Sequence, residues 1–244
     1  MTIHSFDLSN VHPSWRHCLD RGLACVQPQY LQQLNQSHDW LPGPEYIFNA
    51  LSLPMDNVNY VLFGESPYPR RESANGYAFW DASVNELWSS TGLSKQVNRA
   101  TSLRNIIKML LVANASLAQD RTSQHDIAIT PKTHFVQTNR ELFTNFLNKG
   151  FLLLNATPVL QSGPPQKDAR AWHPFMQELL KCLAEKRPHV RFILLGKIAQ
   201  AVNDLIPSTC TDRLYAEHPY NISFITNPDV LAFFKPLHLL EENK

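Results

Sequence analysis

Tyr60-Val61-Leu62-Phe63-Gly64-Glu65-Ser66-Pro67-Tyr68-Pro69 is the most informative stretch of this chain. Four bulky residues stop at a glycine, and the sequence turns polar and proline-rich at once. A short apolar run bounded in this way reads as a strand buried on both faces. The same punctuation recurs twice: Phe151 to Leu154 ends at Asn155, and Val190 to Leu195 ends at Gly196-Lys197; a last short strand, Leu214 to Ala216, leads into His218-Pro219. Between these runs apolar residues return at helical spacing, as Leu103, Ile106, Ile107, Leu110 and Leu111, and again as Leu142, Phe143, Phe146 and Leu147. Further helices are predicted from about Pro174 to Glu185, with the proline at the start, from Ile198 to Leu205, and from Val230 to Leu240. Strand alternating with helix predicts an α/β fold, a central four-stranded parallel sheet flanked by helices. Ligands of such sheets bind beyond the carboxyl ends of the strands, so the residues that follow each run are the candidates for chemistry.

The bulk properties set few limits. With 244 residues, 43% hydrophobic and 18% charged, the chain can bury a sizeable core without disulfides or metal. Residues 1–55 show little periodicity and are expected to form short helices packed on the same domain, with residues 56–244 as the main body. A formal charge of +1 gives no global attraction to nucleic acid, so any DNA contact must come from basic groups gathered on one face. Cys18, Cys25, Cys182 and Cys210 are widely spaced and contain no CxxC pair, so free thiols and no metal site are expected. No leader and no apolar run of membrane length is read in the chain, so a cytoplasmic protein is expected, or a nuclear one in a eukaryote. There is no GxxxxGK[ST] phosphate loop of the kind a nucleotide hydrolase would carry.

These punctuated segments resemble the uracil-DNA glycosylase family, in the family's own order. Gly64, Pro67 and Tyr68 match its Gly-Gln-Asp-Pro-Tyr-His loop. Gly76-Tyr77-Ala78-Phe79 is similar to its Gly-Leu-Ala-Phe, and Ser102-Leu103-Arg104-Asn105-Ile106 to its stretch that contacts the DNA backbone. Leu152-Leu153-Leu154-Asn155 matches its Leu-Leu-Leu-Asn. Gly163, Trp172 and Leu194-Leu195-Gly196-Lys197 follow the pattern, and His218-Pro219-Tyr220-Asn221-Ile222-Ser223 corresponds to its His-Pro-Ser-Pro-Leu-Ser. The resemblance spans about residues 59–240 and rests on joint order and spacing, since each fragment alone is common.

It implies an enzyme that flips a base out of DNA and hydrolyses its glycosidic bond in base excision repair, as a monomer without metal or cofactor. Phe79 would stack on the extruded base, and the Asn155 amide would pair with O4 and N3–H of uracil. Tyr68 would exclude a 5-methyl group, and Glu65 stands where a glutamine lines the pocket. His218 would donate to O2 as negative charge develops on the leaving ring. Ile222 would wedge into the vacated stack. Ser102, Ser223 and Gly163 would hold phosphates, with Arg104 and Lys167 as nearby charge, helped by Arg70, Arg71 and Lys197. The partner implied is single- or double-stranded DNA carrying uracil or a modified base.

One departure bears directly on the chemistry. Where the family has the aspartate that activates water, this chain has Ser66. A hydroxyl can hold a water but brings no negative charge, and losing a positioned base forfeits roughly 10² to 10⁴ in rate. A slow glycosylase, a paralogue that binds flipped bases without efficient turnover, and an enzyme for a different modified base therefore all stay open. Glu65 is the adjacent carboxylate, but neighbouring side chains in extended backbone point to opposite faces, which disfavours a simple exchange of roles.

Overall fold

The computed structural model describes residues 6–37 and 39–242. In chain order the elements are α1 (Arg16–Ala24), α2 (Pro28–Gln36), β1 (Trp40–Leu41), β2 (Tyr60–Gly64), β3 (Trp88–Ser89), β4 (Gly92–Leu93), α3 (Lys95–Arg99) and α4 (Thr101–Ala113). They continue as α5 (Gln124–Ile129), α6 (Asn139–Asn148), β5 (Phe151–Asn155), β6 (Leu160–Gln161), α7 (Pro165–Lys186), β7 (Arg191–Leu195), α8 (Ile198–Asn203), β8 (Arg213–Ala216) and α9 (Pro228–Phe234).

The central sheet has the order β5-β2-β7-β8 and is parallel throughout. Its alternation was invisible in the sequence because both faces are apolar. Val61, Phe63, Leu152, Leu154, Phe192 and Leu194 point to one face, where residues from Phe6 to Val58 and α7 cover them. Leu62, Leu153, Ile193 and Leu195 point to the other, against α4, α6 and α9. Two core layers on one sheet account for the near-continuous hydrophobicity of β2, β5 and β7, whereas β8 lies at the edge with Tyr215 52% exposed.

The chain before β2 is tied down closely. The Trp15 indole donates to the Leu53 carbonyl at 2.7 Å, and the Tyr30 hydroxyl donates to buried Asp168 at 2.7 Å. Asp168 also accepts from the Gln161 backbone and side chain at 2.9 and 2.6 Å, so one carboxylate joins α2, β6 and the first turn of α7. At Gly22 a Cβ would stand 2.8 Å from the Phe175 ring, which is why α1 can lie so close to α7.

Three expectations are corrected. Cys18 and Cys182 are not free thiols; they form a disulfide between α1 and α7, leaving Cys25 and Cys210 free. The third helix starts at Pro165 rather than Pro174, which sits inside it. An interior proline removes one backbone hydrogen bond, but Trp172, Phe175, Met176, Leu179, Leu180 and Leu183 form one buried stripe that carries the helix through. The closing helix spans Pro228–Phe234, capped by the Asn227 side chain, and a short 3-10 turn follows it. Among the described residues no helix is long and apolar enough to cross a membrane.

Candidate active site at the carboxyl rim of the sheet

All four strands deliver their carboxyl ends to one rim. Gly64 pairs in register with Asn155. The ladder continues past the strands, with the Ala156 N–H on the Gly64 carbonyl at 2.9 Å and the Thr157 N–H on the Glu65 carbonyl at 3.0 Å. A Cβ at Gly64 would lie 2.6 Å from Asn155 Oδ1 and 2.9 Å from the Ala78 methyl. Only a glycine lets the amide and the Ala78-Phe79 segment meet there. Asn155 is 5% exposed, yet its side chain makes no hydrogen bond among the described residues. A nearly buried amide without a protein partner is a group left free for a ligand.

Phe79 enters from the other side. The Ala78 N–H bonds the Leu153 carbonyl at 3.1 Å, and Phe79 itself has φ of +63°. A non-glycine residue in this region costs of order 1 kcal/mol and persists only where surrounding contacts impose it. One of those contacts is Tyr68, whose hydroxyl donates to the Phe79 carbonyl at 3.1 Å. Burial, reinforced by the nearby charge of Asp81, pushes the Tyr68 phenol above its ordinary value and keeps it a neutral donor. Asp81 is 2% exposed; it takes Arg70 Nη2 at 3.2 Å and the Ser83 hydroxyl at 2.6 Å, anchoring the far end of the loop.

The Phe79 ring lies 5.9 Å from the His218 ring at 37°. His218 is seated against Gly196, where a Cβ would stand 2.6 Å from the His218 Cβ and where φ is +64°. Its Nδ1 accepts from the Tyr220 backbone N–H at 3.1 Å. A neutral imidazole with Nδ1 so occupied carries its proton on Nε2, leaving a donor there. Burial pushes the His218 pKa below its usual range, and the negative charge of Glu65 opposes that shift.

A contact that the sequence reading overlooked steadies this loop. From α4, Asn105 Nδ2 donates to the Pro219 carbonyl at 2.7 Å and lies 3.4 and 3.5 Å from those of Tyr220 and Asn221. In the sequence Asn105 shows only as part of a motif, and no local signal announces a partner 114 residues away.

Tyr68, Phe79, Asn155 and His218 thus gather at one place, with Glu65 exposed and Ser66 half-buried at its lip. Glu65 and Ser66 also line a cavity of about 500 Å³ together with Thr157, Arg170, His173 and Ile198. Ile222 is 79% exposed beyond the His218 turn, next to exposed Ser223. Ser102 is half-buried in the first turn of α4. Arg104, in the same turn, is half-buried, and its guanidinium donates to the Asn98 carbonyl at 3.0 Å and to Asn105 Oδ1 at 3.4 Å. Gly163 and Lys167 are exposed on the α7 side and do not join the cluster. Among the described residues no group of three or more His, Cys, Asp or Glu gathers as metal ligands would.

The family profile described as the uracil DNA glycosylase superfamily matches residues 52–241. A uracil-DNA glycosylase of Amoebophilus asiaticus is 28% identical over 86% of this chain and 84% of its own length. One from Acinetobacter baylyi is 29% identical over 84% of this chain and 77% of its own. Among solved structures, wild-type UNG from Nitratifractor salsuginis superposes with a TM-score of 0.91 and 39% identity, covering 97% of this chain and 95% of that one. Mimivirus uracil-DNA glycosylase, at 17% identity and a TM-score of 0.60 over 88% of this chain and 72% of its own, shares the fold. With a profile that covers most of the chain, the chain belongs to the uracil DNA glycosylase superfamily.

Proposed function

We propose that this protein is a monofunctional DNA glycosylase that excises uracil from single- or double-stranded DNA, working slowly because Ser66 stands where its relatives' family carries a carboxylate. The observation that carries the reading is the pairing of two unspent groups at one rim, the free Asn155 amide and the Nε2 donor of His218, beside the Phe79 ring. A flipped uracil stacked on Phe79 would give O4 to the amide NH₂ and N3–H to the amide carbonyl. Cytosine presents the reverse pattern and would leave both buried groups unpaired. Tyr68, fixed by its bond to the Phe79 carbonyl, would occupy the space of a 5-methyl group.

As the bond between C1′ and N1 breaks, its electron pair moves onto the uracil ring and its O2, where the His218 donor stabilises the charge. The sugar becomes cationic at C1′ and is attacked by water held at the Ser66 hydroxyl. The water's proton then leaves to solvent through the cavity that Ser66 and Glu65 share. A second reading, a paralogue that binds flipped bases with little turnover, is favoured by one observation, the missing carboxylate at Ser66.

The test is base release from single- and double-stranded uracil oligonucleotides by wild type, Ser66→Asp and His218→Ala. Release by wild type that His218→Ala lowers about a hundredfold or more upholds the enzyme. Release by Ser66→Asp alone identifies a disabled relative. Binding of uracil DNA without release by any of the three supports the second reading.

A further inference from the structure

The cavity at Ser66 does not end at α7. A second one, of about 630 Å³, opens on the other side of that helix, and Gln166, Arg170 and Pro174 line both. The two cavities lie side by side along the amino-terminal half of α7, as the inner and outer compartments of a shallow trough. Its inner end is the Glu65-Ser66 lip of the base site; its outer end is formed by Cys25 and Gln27, from the connection between α1 and α2. Lys167 and Arg170 stand exposed along it, neither in an ion pair among the described residues, and no carboxylate lines the outer compartment. The floor of the inner compartment is apolar, with Ala156, Val159, Leu160, Ala201, Val202 and Leu205.

We infer that this trough is a second DNA-binding subsite, which carries the strand leaving the flipped nucleotide over α7 to the amino-terminal segment. The inference rests on the proposed function, because it is the sugar of a base held at Asn155 that would emerge at the Ser66 lip. Three properties select a nucleic-acid strand. The trough begins at the Glu65-Ser66 lip, the fixed charges among the described residues that line it away from that lip, Lys167 and Arg170, are cationic, and its apolar floor suits bases while its rim suits phosphates. The volumes of both compartments lie in the range of sites that enclose small ligands. The amino-terminal segment gains a role as the outer bank of the strand's path.

Cys25 supplies a built-in reporter. It is exposed and lines the outer compartment, whereas Cys210 is buried and the other two cysteines are bonded to each other. The rate of maleimide addition to Cys25 is measured in the full chain, free and with saturating single-stranded uracil DNA. A long oligonucleotide is expected to slow addition about tenfold at near-saturation, while a uracil trinucleotide, which reaches only the base site, leaves it unchanged. Arg170→Glu, checked by an unaltered labelling rate without DNA, is expected to shrink the affinity advantage of the long oligonucleotide over the trinucleotide. Its binding should also depend less steeply on salt, since about one phosphate contact is lost.

Unchanged Cys25 labelling under a bound long oligonucleotide overturns the inference, as does an Arg170→Glu variant that keeps the full length advantage. Equal protection by polyglutamate assigns the trough to an acidic polypeptide and also overturns it. Protection by DNA without base release keeps the trough and sinks the glycosylase reading; base release without protection does the reverse. Absence of binding to any DNA sinks both.

Discussion

The backbone N–H of Tyr220 sits 3.1 Å from Nδ1 of His218, so the turn itself selects the tautomer with a proton on Nε2. Protonating the ring would set two hydrogens against each other at that contact. Burial acts in the same direction and Glu65 against it. His218 is therefore expected to titrate below the ordinary histidine value of about 6.5, with Nδ1 bare at neutral pH. Because the folded value lies below the unfolded one, the contribution to stability is complete above the unfolded pKa and is lost as pH falls below it. Nitrogen NMR of the imidazole reads both points, and Glu65→Gln should move the titration lower still. A titration above that of a free histidine would contradict the assignment.

Asn105 acts through the turn and not on a substrate, which makes it a positioning residue. Asn105→Ala removes the donor that holds the Pro219 carbonyl, and an unsatisfied buried acceptor costs about 1–3 kcal/mol. A displaced His218 donor is expected to lower kcat by about tenfold to a hundredfold with little change in KM. The His218 titration should shift as well, which a purely structural defect elsewhere would not produce.

Gly196→Ala is expected to damage the site as badly as His218→Ala, since the added methyl would stand 2.6 Å from the His218 Cβ at a φ of +64°. Strain alone accounts for about 1 kcal/mol or more of lost stability. Gly163→Ala is the matched control for stability, because a Cβ there meets nothing within 4 Å. Thermal unfolding of the two variants side by side, with base release by Gly196→Ala measured against wild type, decides the matter.

The Cys18–Cys182 disulfide closes a sequence separation of 164 residues. Cross-links over long loops typically contribute about 2–5 kcal/mol. Reductant is expected to lower the unfolding midpoint of the wild type and to leave that of a Cys18→Ala/Cys182→Ala double variant unmoved. Both sulfurs are in the core, so reduction should be slow until the chain is warmed.

Three of the central strands, β2, β5 and β7, were legible because each is an apolar run cut off by glycine or a polar residue, and the rim followed from that punctuation; β8, Arg-Leu-Tyr-Ala at the sheet edge, carries a weaker signal. Asn155 and His218 stood out for the same reason: they come directly after strands. What could not be read depends on contacts distant in sequence. Cys18 and Cys182 have no spacing signature, so composition alone suggested free thiols. The first turns of α7, Pro-Gln-Lys-Asp-Ala-Arg, are almost wholly exposed and gave no apolar period, so Pro174 was read as a start when it lies inside the helix. Nothing local reveals that the Arg104 guanidinium turns back onto Asn98 and Asn105.

The two-layered core has a practical corollary. The family profile begins at residue 52, yet Trp15, Leu19, Leu31, Trp40, Phe48 and Leu51 supply much of the lid over one side of the sheet. A fragment trimmed to the profile would carry a bare apolar plate and should collect in the insoluble fraction on expression. Engineering that seeks a smaller protein has to cut elsewhere.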